Sequence, residues 1–172
     1  MLYFAYGSNL SPRRIEARLG PCRSLGTACL KGFRLHFHKR GADDSGKCNI
    51  RYSGDGRRRV YGGLYRLLAA QAQRLDGFEG QGYARQNVSL VHRNQHCRAY
   101  TYVALDHWID DSLRPFDWYR ALVIQGAFDQ GLPRAYVCKL LASGYIIDPD
   151  QNRRRSNLLL LTDSRHRQWC SE

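Results

Sequence analysis

Three glutamates occur in the chain, Glu16, Glu79 and Glu172, and only Glu79 stands among residues suited to shield a carboxylate. It lies in Asp76-Gly77-Phe78-Glu79-Gly80-Gln81-Gly82-Tyr83, which reads as a glycine-rich loop leaving a helix. An apolar neighbour such as Phe78 desolvates the carboxylate and raises its proton affinity, as a general base requires. Glu16, mid-helix among arginines, reads instead as their solvated partner. A second source of chemistry is main chain. The apolar run Leu2-Tyr3-Phe4-Ala5 leads through Tyr6-Gly7-Ser8-Asn9 to Ser11-Pro12, an N-cap with proline in the first helical turn. Such a strand–turn–helix presents free N–H groups at a positive helix end, where a carboxylate or phosphate sits well. Gly7 is expected to allow φ > 0 and a close ligand approach. An ordinary capped turn and a surface acid are the plain alternatives. Neither a Walker lysine nor a G-x-S-x-G elbow follows.

Other reactive side chains give weaker patterns. His36 and His38 share one face of a strand at metal-chelating spacing, but Arg34 shares that face and no acid or thiol stands near in sequence. An exposed polar face is expected there, and no metal. The tyrosines Tyr3, Tyr6, Tyr83, Tyr100, Tyr102 and Tyr119 offer phenols that line either a pocket or a core. Six cysteines form no C-x-x-C pair, which speaks against a zinc ribbon or a thioredoxin-type site. Without a signal-peptide pattern, reduced buried thiols and a cytoplasmic location are expected.

The elements that must position these groups follow from periodicity. A helix over residues 12–19 stops at Gly20-Pro21. Phe33, Leu35 and Phe37 alternate with Arg34, His36 and His38, a half-buried strand. Further strands fall near Ile50–Tyr52, over Val60–Tyr65, and as a pair over Val88–Val91 and Cys97–Leu105, joined through His92–His96. A helix over Leu67–Leu75 has Gly77 placed to end it. Beyond Pro115 the pattern is helical, broken at Gly131-Leu132-Pro133. Leu158–Leu161 is expected as an edge strand or docked arm. The fold class is α+β, with a mixed, mostly antiparallel barrel-like sheet and flanking helices.

At 172 residues with 12% aromatics the chain suits one well-filled domain, not disorder. No apolar run reaches the roughly 20 residues of a membrane span. The net charge of +12, carried by 23 Arg and 4 Lys, favours acidic partners without naming one. Two runs, Arg57-Arg58-Arg59 and Arg153-Arg154-Arg155, read as solvated loop tips. Nucleic acid is a weak expectation, since no zinc-finger, basic-region or RNA-recognition pattern accompanies them.

Four ordered segments resemble the γ-glutamylcyclotransferase family. They are Tyr3-Phe4-Ala5-Tyr6-Gly7-Ser8-Asn9-Leu10; Leu75-Asp76-Gly77-Phe78-Glu79-Gly80 with Tyr83; Cys97-Arg98-Ala99-Tyr100; and Pro115 to Tyr119 followed by Gly126-Ala127 and Gly131 to Tyr136. The resemblance runs from residue 1 to about 144, which leaves 145–172 as a C-terminal extension. It implies a small barrel-like fold and cofactor-free cleavage of a small γ-glutamyl substrate to 5-oxoproline and an amine. It further implies that Glu79 shuttles the proton, that Tyr3, Phe4, Ala5, Tyr6, Gly7, Ser8 and Asn9 hold the glutamyl group through loop N–H groups, and that Tyr119, Tyr83 and Tyr100 stand nearby. The Tyr-Gly-Ser-Asn form differs from the relatives with Tyr-Gly-Thr-Leu and Tyr-Gly-Ser-Leu and leaves the amine open. The chemistry suits these residue types independently: the attacking amine and the carbonyl are tethered, so one proton-shuttling carboxylate and an oxyanion site suffice. A catalytically inactive basic binding module on the same scaffold is the alternative, and a metal-dependent hydrolase on His36 and His38 ranks behind it.

Overall fold

The computed structural model describes residues 1–161. In chain order its strands are β1 (Leu2–Ala5), β2 (Arg23–Lys31), β3 (Phe33–Arg40), β4 (Gly46–Tyr52), β5 (Arg59–Arg66), β6 (Tyr83–His92) and β7 (Gln95–Ala104). Its helices are α1 (Pro12–Leu19), α2 (Ala69–Glu79), α3 (Asp117–Asp129), α4 (Arg134–Leu141) and α5 (Gln151–Leu158). Five strands close a barrel in the order β1-β5-β2-β6-β7, and β3–β4 form a separate antiparallel hairpin. The barrel pairs are antiparallel except at the closing seam, where β1 runs parallel to β7 at Tyr3↔Tyr100. This is the expected α+β class.

Alternation along β1 splits the core in two. Phe4 joins Leu30, Leu64, Leu90, Leu122 and Val123 in one cluster, against α3. Tyr3 and Ala5 join Ile15, Tyr65, Leu75 and Tyr102 in the other, under α1 and α2. A 3-10 turn over Ser8–Leu10 links β1 to α1, whose N-cap Ser11 accepts from the Arg14 amide as expected. Gly126 lets α3 pack onto this turn, because a methyl there would meet the Ser11 nitrogen at 2.4 Å.

Several elements differ from the sequence reading. Helix α2 runs through Gly77 to Glu79 and is capped by Gly80 at φ 67°. Tertiary contacts carry it past Gly77: Arg85 grips the Asp76 carboxylate at 2.6 and 2.7 Å, and the Tyr102 hydroxyl donates to it at 2.8 Å. Glu79 therefore ends a helix and is not in a loop. The β6–β7 link is shorter than expected, with only Arg93 and Asn94 at the turn, both at positive φ. His38 is buried, not exposed, because a register shift between Phe37 and Lys39 breaks the alternation. Only Cys48 of the five described cysteines is buried, and Cys138 is exposed.

Residues 151–161 are helical and rest on α3; the edge-strand alternative for Leu158–Leu161 does not form. The second arginine run belongs to α5 and is no loop tip. Arg153 pairs with the fully buried Asp148 at 2.6 Å, and Arg154 pairs with Asp117 at 2.7 Å. No helix among the described residues is long and apolar enough to cross a membrane.

Candidate active site

The end of α2, the turn after β1, and strand β4 meet at a narrow cavity of about 30 Å³, enough for one or two waters. Its lining includes Tyr3, Tyr6, Gly7, Ser8, Asn9, Glu79, Tyr83, Tyr102 and Tyr119, all singled out from the sequence, together with Cys48. Phe4 and Ala5 are not in the lining. Both are fully buried in the two cores. Tyr100 also stays in the core, beside the seam.

Glu79 is held by the loop it faces. The Asn9 side-chain nitrogen donates to Glu79 Oε1 at 2.7 Å and to the Tyr3 hydroxyl at 3.1 Å. The Asn9 oxygen in turn accepts from Arg18 at 2.9 Å, which fixes the amide orientation. Arg18 also lies 3.6 Å from Glu79, and its guanidinium stacks on Phe78, 5.0 Å from the ring centroid. Phe78 is 45% exposed, so it does not desolvate Glu79 as expected. The buried tyrosines of the lining enclose the carboxylate instead. Burial raises the Glu79 pKa above its ordinary value, opposed by Arg18, the Asn9 hydrogen bond, Arg14 and Lys39. The net direction is upward, which suits a carboxylate that must both take and return a proton.

Gly7 contributes by proximity. Its φ is −106°, ordinary for any residue, so the expectation of φ > 0 does not hold. A Cβ at this position would lie 3.1 Å from Cys48 Cβ and 3.5 Å from the Tyr119 hydroxyl. The 3-10 turn starts here and leaves the Ser8 and Asn9 amides without intrahelical partners at the cavity wall. Across the cavity, the Cys48 backbone is clasped by two phenols: its N–H donates to Tyr119 at 3.1 Å and its carbonyl accepts from Tyr83 at 2.6 Å. The Tyr6 hydroxyl donates to the Tyr102 carbonyl.

Titration behaviour singles out one base. Burial holds the phenols of Tyr3, Tyr6, Tyr83 and Tyr119 well above their ordinary range, so they are neutral donors at physiological pH. Burial also pushes the Cys48 thiol up to about 12, which removes it as a nucleophile. Glu79 is the one carboxylate in the lining. Two cations that the sequence reading passed over stand close by. Arg14 is largely enclosed, with its Nε unpartnered and its pKa lowered to about 10, first by burial. The Lys39 ammonium lies 4.8 Å from the Tyr83 ring and 4.7 Å from the Trp108 ring.

The histidine pair sits apart from this cavity. Asp111 does approach it, with Oδ1 2.6 Å from His38 Nδ1, a neighbour that spacing could not foresee. The donor set nevertheless suits a proton better than a metal. Asn49 accepts from the Ala104 N–H through Oδ1, so its Nδ2 donates to His38 Nε2 at 3.0 Å. That tautomer places the proton on Nδ1, facing Asp111. A metal at Nδ1 would turn Nε2–H against the Asn49 amide hydrogens.

Known proteins resemble this chain in sequence and fold. Mouse Gamma-glutamylcyclotransferase is 29% identical over 163 residues, spanning 87% of this chain and 80% of the relative. A solved Gamma-glutamyl cyclotransferase superposes with a TM-score of 0.82 at 23% identity, covering 94% of this chain and 98% of the other. An uncharacterized human protein of known structure gives 0.77 at 27% identity, covering 84% and 88%. The family model described as Gamma-glutamyl cyclotransferase, AIG2-like matches residues 3–120. The chain therefore belongs to the gamma-glutamyl cyclotransferase, AIG2-like family.

Proposed function

We propose that the protein cleaves a γ-glutamyl amide within one molecule, releasing 5-oxoproline and a free amine. The observation that carries this reading is a single carboxylate, Glu79, held at 2.7 Å by Asn9 in a cavity otherwise lined by neutral groups and main-chain amides. Glu79 takes a proton from the substrate α-ammonium. The freed amine attacks the γ-carbonyl, a five-membered ring closes, and the oxyanion is met by the Ser8 and Asn9 N–H groups. Collapse of the intermediate breaks the C–N bond as Glu79 returns the proton to the leaving nitrogen; Glu79 then takes the second proton from the ring nitrogen and passes it to the released amine, which departs as an ammonium. Atoms balance without water, metal or cofactor. Because nucleophile and electrophile arrive tethered, holding them in attack geometry supplies much of the acceleration.

The α-carboxylate fits Arg14 and Arg18, the two cations that α1 places beside Glu79. A glutamyl group exceeds the cavity's 30 Å³, so its lining must widen on binding. Five free thiols among the described residues accord with a reaction in the cytoplasm. The inactive scaffold is not favoured, since base, amide partner and loop are all present and in contact. The test is a panel of γ-glutamyl amides scored for 5-oxoproline by mass spectrometry. Release from at least one member, lost in Glu79→Gln, is expected; no release from any member overturns the reading.

A further inference from the structure

The two arginine runs of the sequence have different fates. Arg153 and Arg154 are neutralised inside the fold by Asp148 and Asp117, at 2.6 and 2.7 Å. The run Arg57-Arg58-Arg59 instead edges a groove of about 420 Å³ between β3, the start of β5, and α4. Five cations line that groove, Arg34, Arg57, Arg58, Arg59 and Lys139, and no acid does. Asp55 lies on the adjoining turn, 3.2 Å from Arg57 and 3.5 Å from Arg58. Among the described residues no carboxylate comes within 4 Å of Arg34, Arg59 or Lys139.

The floor is aromatic. Phe33, Phe37 and Tyr61 line it, half-buried, each packed on one side against the core. Tyr61 packs edge-on against Tyr136 with centroids 5.3 Å apart. The Tyr136 hydroxyl is enclosed with no hydrogen-bond partner, and burial raises its pKa, opposed by the nearby Tyr61 backbone. The groove and the catalytic cavity share no lining residue. They touch back to back, where Phe37 meets Tyr119 at 6.4 Å.

We propose that this groove binds single-stranded nucleic acid. Half-buried aromatic rings give every base a face to stack on, whatever its sequence, while flanking cations follow the phosphates. The cations stand on both walls, Arg34 on β3 and Lys139 on α4, and do not converge on one point. That distribution fits a run of phosphates better than a single phosphate group. Duplex fits less well, because its bases are stacked on one another and offer no face to Tyr61. The site is independent of the catalytic reading, and neither depends on the other.

The probe is a fluorescein-labelled single-stranded RNA octamer, followed by anisotropy on the full chain over a range of salt. Engagement of all five cations gives a log–log salt slope of about −3.5, and the Arg34→Ala/Lys139→Ala double variant flattens it by about 1.4. Tyr61→Leu weakens binding about tenfold and leaves the slope unchanged. Should Tyr61→Leu fail to fold, by circular dichroism, the charge variant decides alone. Unchanged affinity and slope in the folded variants overturn the proposal. So does a mononucleotide that binds as tightly as the octamer, or a heparin fragment of equal charge that matches it.

Discussion

Asn9 and Glu79 are seventy residues apart in the chain yet 2.7 Å apart in space, the amide nitrogen of one on the carboxylate of the other. The contact joins the turn that supplies main-chain donors to the helix that supplies the base. Asn9 is 4% exposed, and its second hydrogen is taken by Tyr3, so it has little freedom to turn. The pair sets where the carboxylate points before any substrate arrives.

Replacing Glu79 by Gln is expected to cut turnover by about two to four orders of magnitude, because the proton shuttle is gone. The fold survives, since the Gln carbonyl still accepts from Asn9. Stability shifts in a defined sense. A carboxyl with a raised folded pKa stabilises most below its unfolded value of 4.5, and that contribution is lost as pH rises through the folded value. The Gln variant should therefore melt above the parent at pH 8, with the gap closing towards pH 4. Thermal melts across that range provide the check.

Arg18 lowers the Glu79 pKa from 3.6 Å away, against the effect of burial. In Arg18→Met the carboxylate loses that support, so its pKa climbs further. The acid limb of kcat/KM must then move to higher pH, whereas a purely structural change would lower the whole profile without moving it. A pH–rate series separates the two.

Gly7→Ala tests proximity. The new methyl stands 3.1 Å from Cys48 Cβ, and the neighbour must give by a few tenths of an ångström. Narrowing the cavity beside Tyr119 should lower kcat/KM about ten- to a hundredfold while the denaturation midpoint barely moves. Unchanged kinetics would remove Gly7 from the site.

Asp148 ties α5 to α3. It accepts from Arg153 at 2.6 and 2.7 Å and from the Trp118 indole at 2.6 Å. Arg153, then Trp118, holds its pKa down to about 2. Its contribution is present above the usual value of 3.8 and fades as pH falls towards 2. Asp148→Asn should cost about 2 kcal/mol at neutral pH, read from urea unfolding, with the deficit shrinking in acid.

Local chemistry was readable where one short segment decides the outcome. The Ser11-Pro12 start, the apolar β1 run and the Gly131-Leu132-Pro133 break each lie within a few residues, and the structure keeps all three. Glu79 could be chosen because glutamate is scarce in this chain. Cys48, Arg14 and Arg18 enter the site through long-range packing, which no spacing encodes. The end of α2 was misplaced for the same reason: Gly77 stops a helix on propensity, but Arg85 and Tyr102 hold Asp76 from another element. His38 turned inward through a bulge that strict alternation conceals. Helix α5 was hidden by its charge, since two of its arginines, Arg153 and Arg154, pair with Asp148 and Asp117.

The seam at Tyr3 and Tyr100 leaves the barrel wall no open side on which a stray strand could template itself. The β3–β4 hairpin has no such protection, for its two strands pair mainly with each other. Under mild denaturation, intermolecular β-stacking should therefore begin at the hairpin that carries Cys48, and the catalytic cavity should lose one wall before the other gives way.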